Sequence, residues 1–113
     1  MHEFSIAMNV VDIATEYANR EQAKVVREIE IEVGIFSGVV VDALEFAMES
    51  AVKGTILENA ICKIAIVQGI ARCPECMNEF ETDDLFKCCP KCKTCAPYII
   101  QGRELRVKSL IVD

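Results

Sequence analysis

Tryptophan is absent from this chain, histidine occurs once and proline three times. The scarcity of histidine removes most routes to catalysis, because neither a Ser-His-Asp nor a Cys-His arrangement can form except through His2, at the start of the sequence. The glycine motifs that cradle phosphates or dinucleotides are also missing. The chain is therefore expected not to be an enzyme. No apolar run approaches the roughly 18 residues that span a bilayer, and Met1-His2-Glu3-Phe4-Ser5 lacks the basic start of a signal peptide. A cytoplasmic location with no membrane partner is expected. Positive charge is in deficit: 12 lysines and arginines stand against 18 acidic residues, for a net charge of -6. Phosphate binding needs a clustered basic surface that releases counterions, so nucleic acid is excluded as a partner. A protein or a cation fits better.

What is present reads as a small globular protein. In 113 residues, 52% hydrophobic and 27% charged, there is room for one modest core and a satellite module. From about Phe4 to Ala18, Ile6, Val10, Ile13, Ala14 and Tyr17 recur at helical spacing and predict an amphipathic helix. The period changes to two between Val26 and Ile35, where Ile29, Ile31, Val33 and Ile35 alternate with Glu28, Glu30 and Glu32, as in a half-buried strand. Val41, Leu44, Met48 and Ala51 predict a second helix, with Asp42 in its first turn, where a negative charge suits the dipole, and Gly54 at its end. Two further strands are read at Ile61 to Val67, with Cys62, Ile64 and Ile66 on one face, and around Leu105, Val107 and Ile111. Arg106 and Lys108 on the last strand suit ion pairs with the glutamates of the first, although a merely solvated face explains them as well.

Six of the seven cysteines and all three prolines fall between residues 70 and 103. This segment reads as an insertion between two strands of one sheet, too small to fold without a metal or a disulfide. In a reducing compartment thiolate ligands are the better reading. Cys73-Pro74-Glu75-Cys76 and Cys89-Pro90-Lys91-Cys92 are matching hairpins, and two residues between cysteines let both sulfurs reach one tetrahedral ion. Cys88 and Cys95 stand beside the second hairpin as possible substitutes. Cys92 and Cys95 share the two-residue spacing, but only the 89/92 pair repeats Cys-Pro-x-Cys, so Cys73, Cys76, Cys89 and Cys92 are the expected ligands. Four thiolates on a divalent ion leave a net charge of about -2, which Lys87, Lys91 and Lys93 partly offset. A closed tetrathiolate has no position for water, so structural Zn(II) is expected, with redox iron as the alternative. Cys62 is read as a small core hydrophobe in its strand.

Met1-His2-Glu3-Phe4-Ser5, Val33-Gly34, Ser37-Gly38-Val39, Ala43-Leu44-Glu45-Phe46-Ala47, the two Cys-Pro-x-Cys hairpins and Gly102-Arg103-Glu104-Leu105-Arg106-Val107, in this order from end to end, resemble the HypA family of hydrogenase maturation factors. The resemblance implies a nickel metallochaperone that supplies Ni(II) to the large-subunit precursor of NiFe-hydrogenase, with a HypB-type GTPase as partner. It implies nickel at Met1, His2 and Glu3 and zinc at Cys73, Cys76, Cys89 and Cys92. Some members place an acidic residue just after the Ser-Gly turn to assist nickel, whereas here Val39, Val40 and Val41 precede Asp42. The donor chemistry agrees with a terminal site. Ni(II) favours nitrogen ligands, and the Met1 amine, the His2 backbone nitrogen and the His2 imidazole can close successive small chelate rings on one ion. At a helix start the His2 nitrogen lacks an intrahelical acceptor and is free to lose its proton to the metal. The negative ligand so formed offsets the cost of a cation near the positive end of the dipole.

The expected fold is α+β: two helices on a three-stranded, mostly antiparallel sheet, with an inserted zinc-ribbon module. Residues 1–69 and 104–113 are expected to form the nickel-binding core domain and 70–103 the inserted ribbon. The rival function, a zinc-ribbon adaptor in transcription or translation, needs a basic or aromatic stacking surface that this composition does not supply.

Overall fold

The computed structural model describes residues 2–113, so Met1 lies outside the described residues. The elements run α1 (Glu3–Arg20), β1 (Val26–Gly34), α2 (Val41–Ala51), β2 (Ile61–Val67), β3 (Ile70–Arg72), β4 (Glu79–Glu81), β5 (Tyr98–Gln101) and β6 (Leu105–Val112). Two three-stranded sheets result, ordered β2-β1-β6 and β4-β3-β5. The chain separates into two compact units, one of Met1–Glu32, Val39–Ala65 and Arg106–Asp113, the other of Val33–Gly38 and Ile66–Leu105.

The first unit contains the two helices and most of the three-stranded sheet that the periodicities predict. On β1 the alternation holds, with Ile29 and Ile31 fully buried, and each such side chain stabilises the fold by roughly 1.5–3 kcal/mol. The outward glutamates meet the expected cations: Glu32 pairs with Arg106 at 2.9 Å and Glu30 with Lys108 at 3.4 Å, while Glu28 pairs with Lys63 of β2. Those pairs, with the Asp113 N–H donating to the Val25 carbonyl at 3.1 Å, set β6 antiparallel to β1. On the other side β2 is reached through α2. The Ile35 N–H donates to the Val67 carbonyl where both strands end, so these two run in the same direction, as a helical crossover allows. After α2 the Thr55 hydroxyl donates to the Val52 carbonyl at 2.7 Å and accepts the Leu57 N–H at 3.1 Å, which turns the chain so that Leu57 enters the core.

Several side chains face differently from the sequence expectation. On α1 the buried stripe is Ala7, Val10, Val11, Ala14 and Ala18, whereas Ile13 and Tyr17 are 44% and 54% exposed. Small residues on this stripe let α1 lie against α2, and the bulkier side chains are turned outward. Cys62 and Ile66 on β2 are exposed. As a sheet edge β2 has a neighbouring strand on one side only, so Cys62 is not the core hydrophobe expected. On β6, Leu105 and Ile111 are exposed and Val107 is half-buried.

In the second unit β3 and β4 pair antiparallel, Ala71 opposite Phe80 and Arg72 opposite Glu79, and β5 joins the other edge of β3 with a register shift between Ile70 and Ala71. These strands of three or four residues carry too little sequence to show a period, and none of the three was expected. Around Phe36, whose ring packs on Gly69 and Gly102, the backbones cross closely. Its N–H donates to the Gly102 carbonyl at 2.7 Å, and a Cβ on Gly34 would lie 2.0 Å from the same carbonyl oxygen.

Candidate metal centres

The β3–β4 hairpin turns through Cys73-Pro74-Glu75-Cys76, and the second Cys-Pro-x-Cys turns in the same way between β4 and β5. In the first knuckle the Cys73 N–H donates to the Asn78 carbonyl at 2.9 Å, and the Met77 N–H returns to the Cys73 carbonyl at 3.0 Å. In the second, the Cys89 N–H donates to the Thr94 carbonyl at 2.8 Å and the Lys93 N–H to the Cys89 carbonyl at 2.9 Å. Met77 and Lys93, each one residue past the second cysteine, both adopt the left-handed conformation, φ 64° and 69°. One local geometry is thus built twice, and it aims the backbone N–H groups of Lys91 and Cys92 at the Cys89 sulfur.

The two knuckles bring their four sulfurs together. All lie within 4.8 Å of one another, with Cys73 to Cys92 at 3.3 Å and Cys76 to Cys89 at 3.7 Å. A tetrahedral zinc thiolate site with bonds of about 2.3 Å has sulfurs about 3.8 Å apart, so the donor set fits such an ion. Cys73 and Cys89 are fully buried. Without a metal the thiols do not ionise alike. Cys92 is pushed down to about 6, first by the hydroxyl and N–H of Thr94 and then by Cys73. Cys76 is pushed up to about 11, because burial and its hydrogen bonds to Cys92, Cys73 and Cys89 outweigh the Asn78 N–H that lowers it. Cys92 therefore ionises readily, whereas a cation is needed to draw the proton from Cys76.

Two residues supporting this cluster were not singled out from the sequence. The Asn78 side chain reaches the Cys89 sulfur at 3.9 Å, across to the other knuckle, and the Cys92 sulfur lies within hydrogen-bond distance of the Thr94 hydroxyl at 3.3 Å. Each stands two residues past the second cysteine of its knuckle, a repeated offset that is visible in the sequence. Of the lysines expected to offset the thiolate charge, Lys93 bends back to the Pro90 carbonyl at 3.3 Å and Lys87 lies over the Phe80 ring, 5.9 Å from its centroid. Cys88 and Cys95, the possible substitutes, are joined to each other by a disulfide.

At the other candidate centre the structure describes His2 and Glu3 but not Met1. His2 is the exposed N-cap residue of α1, and its carbonyl accepts the Ile6 N–H at 3.2 Å. Neither helix start has a side-chain cap of its own. Glu3 reaches across instead: its carboxylate accepts the N–H of Val40, the N-cap of α2, at 3.3 Å, and that bond holds its pKa below the ordinary carboxylate value. An ionised carboxylate is thereby fixed beside His2, bordering a shallow depression with Phe4, Ala43, Phe46, Ala47 and Ser50. Asp42 is exposed in the first turn of α2.

A small α+β fold that carries two Cys-Pro-x-Cys knuckles with convergent sulfurs defines a class of metal-binding protein with a tetrathiolate ribbon. Within that class, residues 1–112 match the HypA family, described as hydrogenase/urease nickel incorporation, metallochaperone, and the chain belongs to that family. It is 42% identical over 112 residues to the hydrogenase maturation factor HypA of Parabacteroides distasonis, covering 99% of this chain and 97% of that protein. Among solved structures it resembles the solution structure of HypA protein, with a TM-score of 0.76 and 25% identity over 100% of this chain and 97% of that one. It also resembles the solution structure of the Ni metallochaperone HypA from Helicobacter pylori, with a TM-score of 0.72 and 25% identity over 99% and 97%. Membership does not favour the zinc-ribbon adaptor. Among the described residues no helix is long and apolar enough to cross a membrane.

Proposed function

We propose that this chain binds Ni(II) as cargo at Met1, His2 and Glu3 and delivers it to the large-subunit precursor of NiFe-hydrogenase in the cytoplasm, acting with a HypB-type GTPase and catalysing no reaction of its own. Residues 1–69 and 104–113 are the nickel-binding domain, and 70–103 are the ribbon, in which Cys73, Cys76, Cys89 and Cys92 hold a structural Zn(II). When bound, the zinc supplies a closed cross-link between the knuckles. Family membership supports the delivery role, and the observation that carries the site is the position of the only histidine. His2 lies exposed at the N-cap of α1, beside a carboxylate held ionised by the Val40 N–H. An anion there favours a bound cation and offsets the positive helix end.

Calorimetric titration of zinc-loaded protein with Ni(II) tests the site, comparing the native chain, an N-terminally extended chain and His2→Ala at one pH. Extension removes the terminal amine and leaves every side chain in place, so both altered forms are expected to lose nickel affinity by more than about a hundredfold, the upper end of what losing a supporting group costs. Zinc content is expected to stay unchanged. Native-like nickel binding by the extended chain rules out the terminal chelate.

A further inference from the structure

The residues that flank each knuckle occupy equivalent places, immediately before Cys73 and after Asn78 in the first, immediately before Cys89 and after Thr94 in the second. In the first knuckle the flanks are Arg72 and Glu79, which face each other across β3 and β4 and are clasped by an ion pair at 2.7 Å. In the second they are Cys88 and Cys95, clasped by a disulfide with a sequence separation of 7. The Cys89-to-Thr94 hydrogen bond lies directly inside that covalent clasp, so the ring it closes contains the whole second knuckle, with the sulfurs of Cys89 and Cys92. One neck is held by charge and the other by a bond that can be opened chemically. Cys88 and Cys95 are both exposed. Exposed disulfides belong to the labile, regulatory kind, and a disulfide in a reducing compartment is ordinarily a redox-responsive one.

We infer that Cys88 and Cys95 form a thiol–disulfide modification site that sets how tightly the adjacent four-cysteine centre holds its metal, tight when oxidised and looser when reduced. The inference rests on the zinc reading of Cys73, Cys76, Cys89 and Cys92. The reactant is a dithiol. One of its sulfurs, as thiolate, bonds to Cys88 or Cys95 and expels the other cysteine as a thiolate. Its second sulfur then displaces the cysteine still attached. Two electrons pass to the protein pair, the two dithiol protons end on Cys88 and Cys95, and the dithiol leaves as its own disulfide. Ring closure matters because it removes conformations from the metal-free knuckle, so less freedom is lost when the metal binds. Opening the ring restores those conformations and weakens the site without touching a ligand.

The test uses the full zinc-loaded chain, with its disulfide state read by intact mass and thiol counting. Zinc transfer to a chromophoric chelator is followed before and after reduction by a water-soluble phosphine. The phosphine opens the disulfide by taking oxygen from one water to become its oxide, and unlike a dithiol it competes poorly for zinc. Oxidised protein is expected to hold zinc about tenfold more tightly, inside the ceiling that so short a ring allows, and to release it more slowly. The double variant Cys88→Ser/Cys95→Ser is expected to match reduced wild type and to ignore the phosphine. Equal affinity in the two redox states of a zinc-loaded protein, or a phosphine response retained by the double variant, overturns the inference alone. Failure of both states to bind zinc overturns the zinc reading, and the inference with it.

Discussion

The two units bury different kinds of side chain. In the first, Ile29, Ile31, Leu44, Leu57 and Val26 are fully buried, with Met48 and the alanine stripe of α1 around them. In the second, Val33, Ala71, Cys73, Cys89 and the polar Thr82 are buried together with Gly34, Gly69 and Gly102, while Phe86 stands 81% exposed and Tyr98 63%. The first unit is therefore held by transfer of apolar surface from water. The second is held by short strands, crossed glycine backbones and knuckle hydrogen bonds that bring four sulfurs together. A segment of that size cannot bury enough surface to stand alone, so on the proposed zinc reading coordination by the four convergent sulfurs takes the place of a core in the second unit.

The sharpest way to break this contrast is to remove the proposed zinc. Structural zinc contributes roughly 10–16 kcal/mol to small metal-folded modules. Chelation, or Cys73→Ser, is expected to abolish hydrogen-exchange protection across β3, β4 and β5, while the amides of β1 between Val26 and Glu32 keep theirs. Equal loss of protection in both units would show that the first unit's core is not self-sufficient.

The same contrast explains what the sequence discloses. Where burial drives structure, the pattern is readable: the alternation on β1 holds, Leu44, Met48 and Ala51 face inward on α2, and the glutamates meet Arg106 and Lys108. It misleads on α1, because residue type alone ranks Ile13 and Tyr17 above Ala7 and Ala18, whereas close helix packing selects the small side chains. Cys62 misleads for a related reason, since alternation marks a face without saying whether anything covers it. In the second unit periodicity is silent and motif chemistry speaks instead. The repeated Cys-Pro-x-Cys identifies the four cysteines whose sulfurs converge, but spacing cannot say that Cys88 and Cys95 join each other, because Cys92 and Cys95 are spaced as well as any ligand pair. The reach of Glu3 to Val40, 37 positions away, leaves no trace in local sequence.

A smaller effect separates close backbone approach from metal coordination within the second unit. In Gly34→Ala the new Cβ would lie 2.0 Å from the Gly102 carbonyl oxygen and 2.8 Å from the Arg103 nitrogen. Neither backbone atom can swing away as a side-chain end could. The zinc-loaded variant is expected to lose about 3 kcal/mol, the upper end for an overpacked site, read from the denaturant midpoint. At Gly38 a Cβ meets nothing within 4 Å, and only its φ of +80° opposes a side chain, so Gly38→Ala is expected to lose about 1 kcal/mol. Equal losses at the two positions would mean that the Phe36 crossing is not a support of this unit.

The finest comparison lies between the knuckles themselves. Met77 and Lys93 hold the same left-handed conformation at the same step of the same turn, which disfavours a side chain by about 1 kcal/mol. Glycine at either position removes that strain but gives the metal-free chain more freedom to lose, a cost of roughly 0.5 kcal/mol or more. Met77→Gly should therefore raise ribbon stability by about half a kcal/mol, the small remainder of these opposed terms, and tighten zinc by about twofold. Lys93 carries two further duties: its Nζ donates to the Pro90 carbonyl at 3.3 Å, and its charge stands in the knuckle that holds the Cys89 and Cys92 thiolates. Lys93→Gly forfeits both, and exposed interactions of this kind contribute a few tenths of a kcal/mol each. That is enough to cancel the gain. Zinc competition on the two single variants is thus expected to show tighter binding for Met77→Gly and no change for Lys93→Gly. Equal tightening in both would show that the lysine contributes nothing to its knuckle beyond the backbone conformation it occupies.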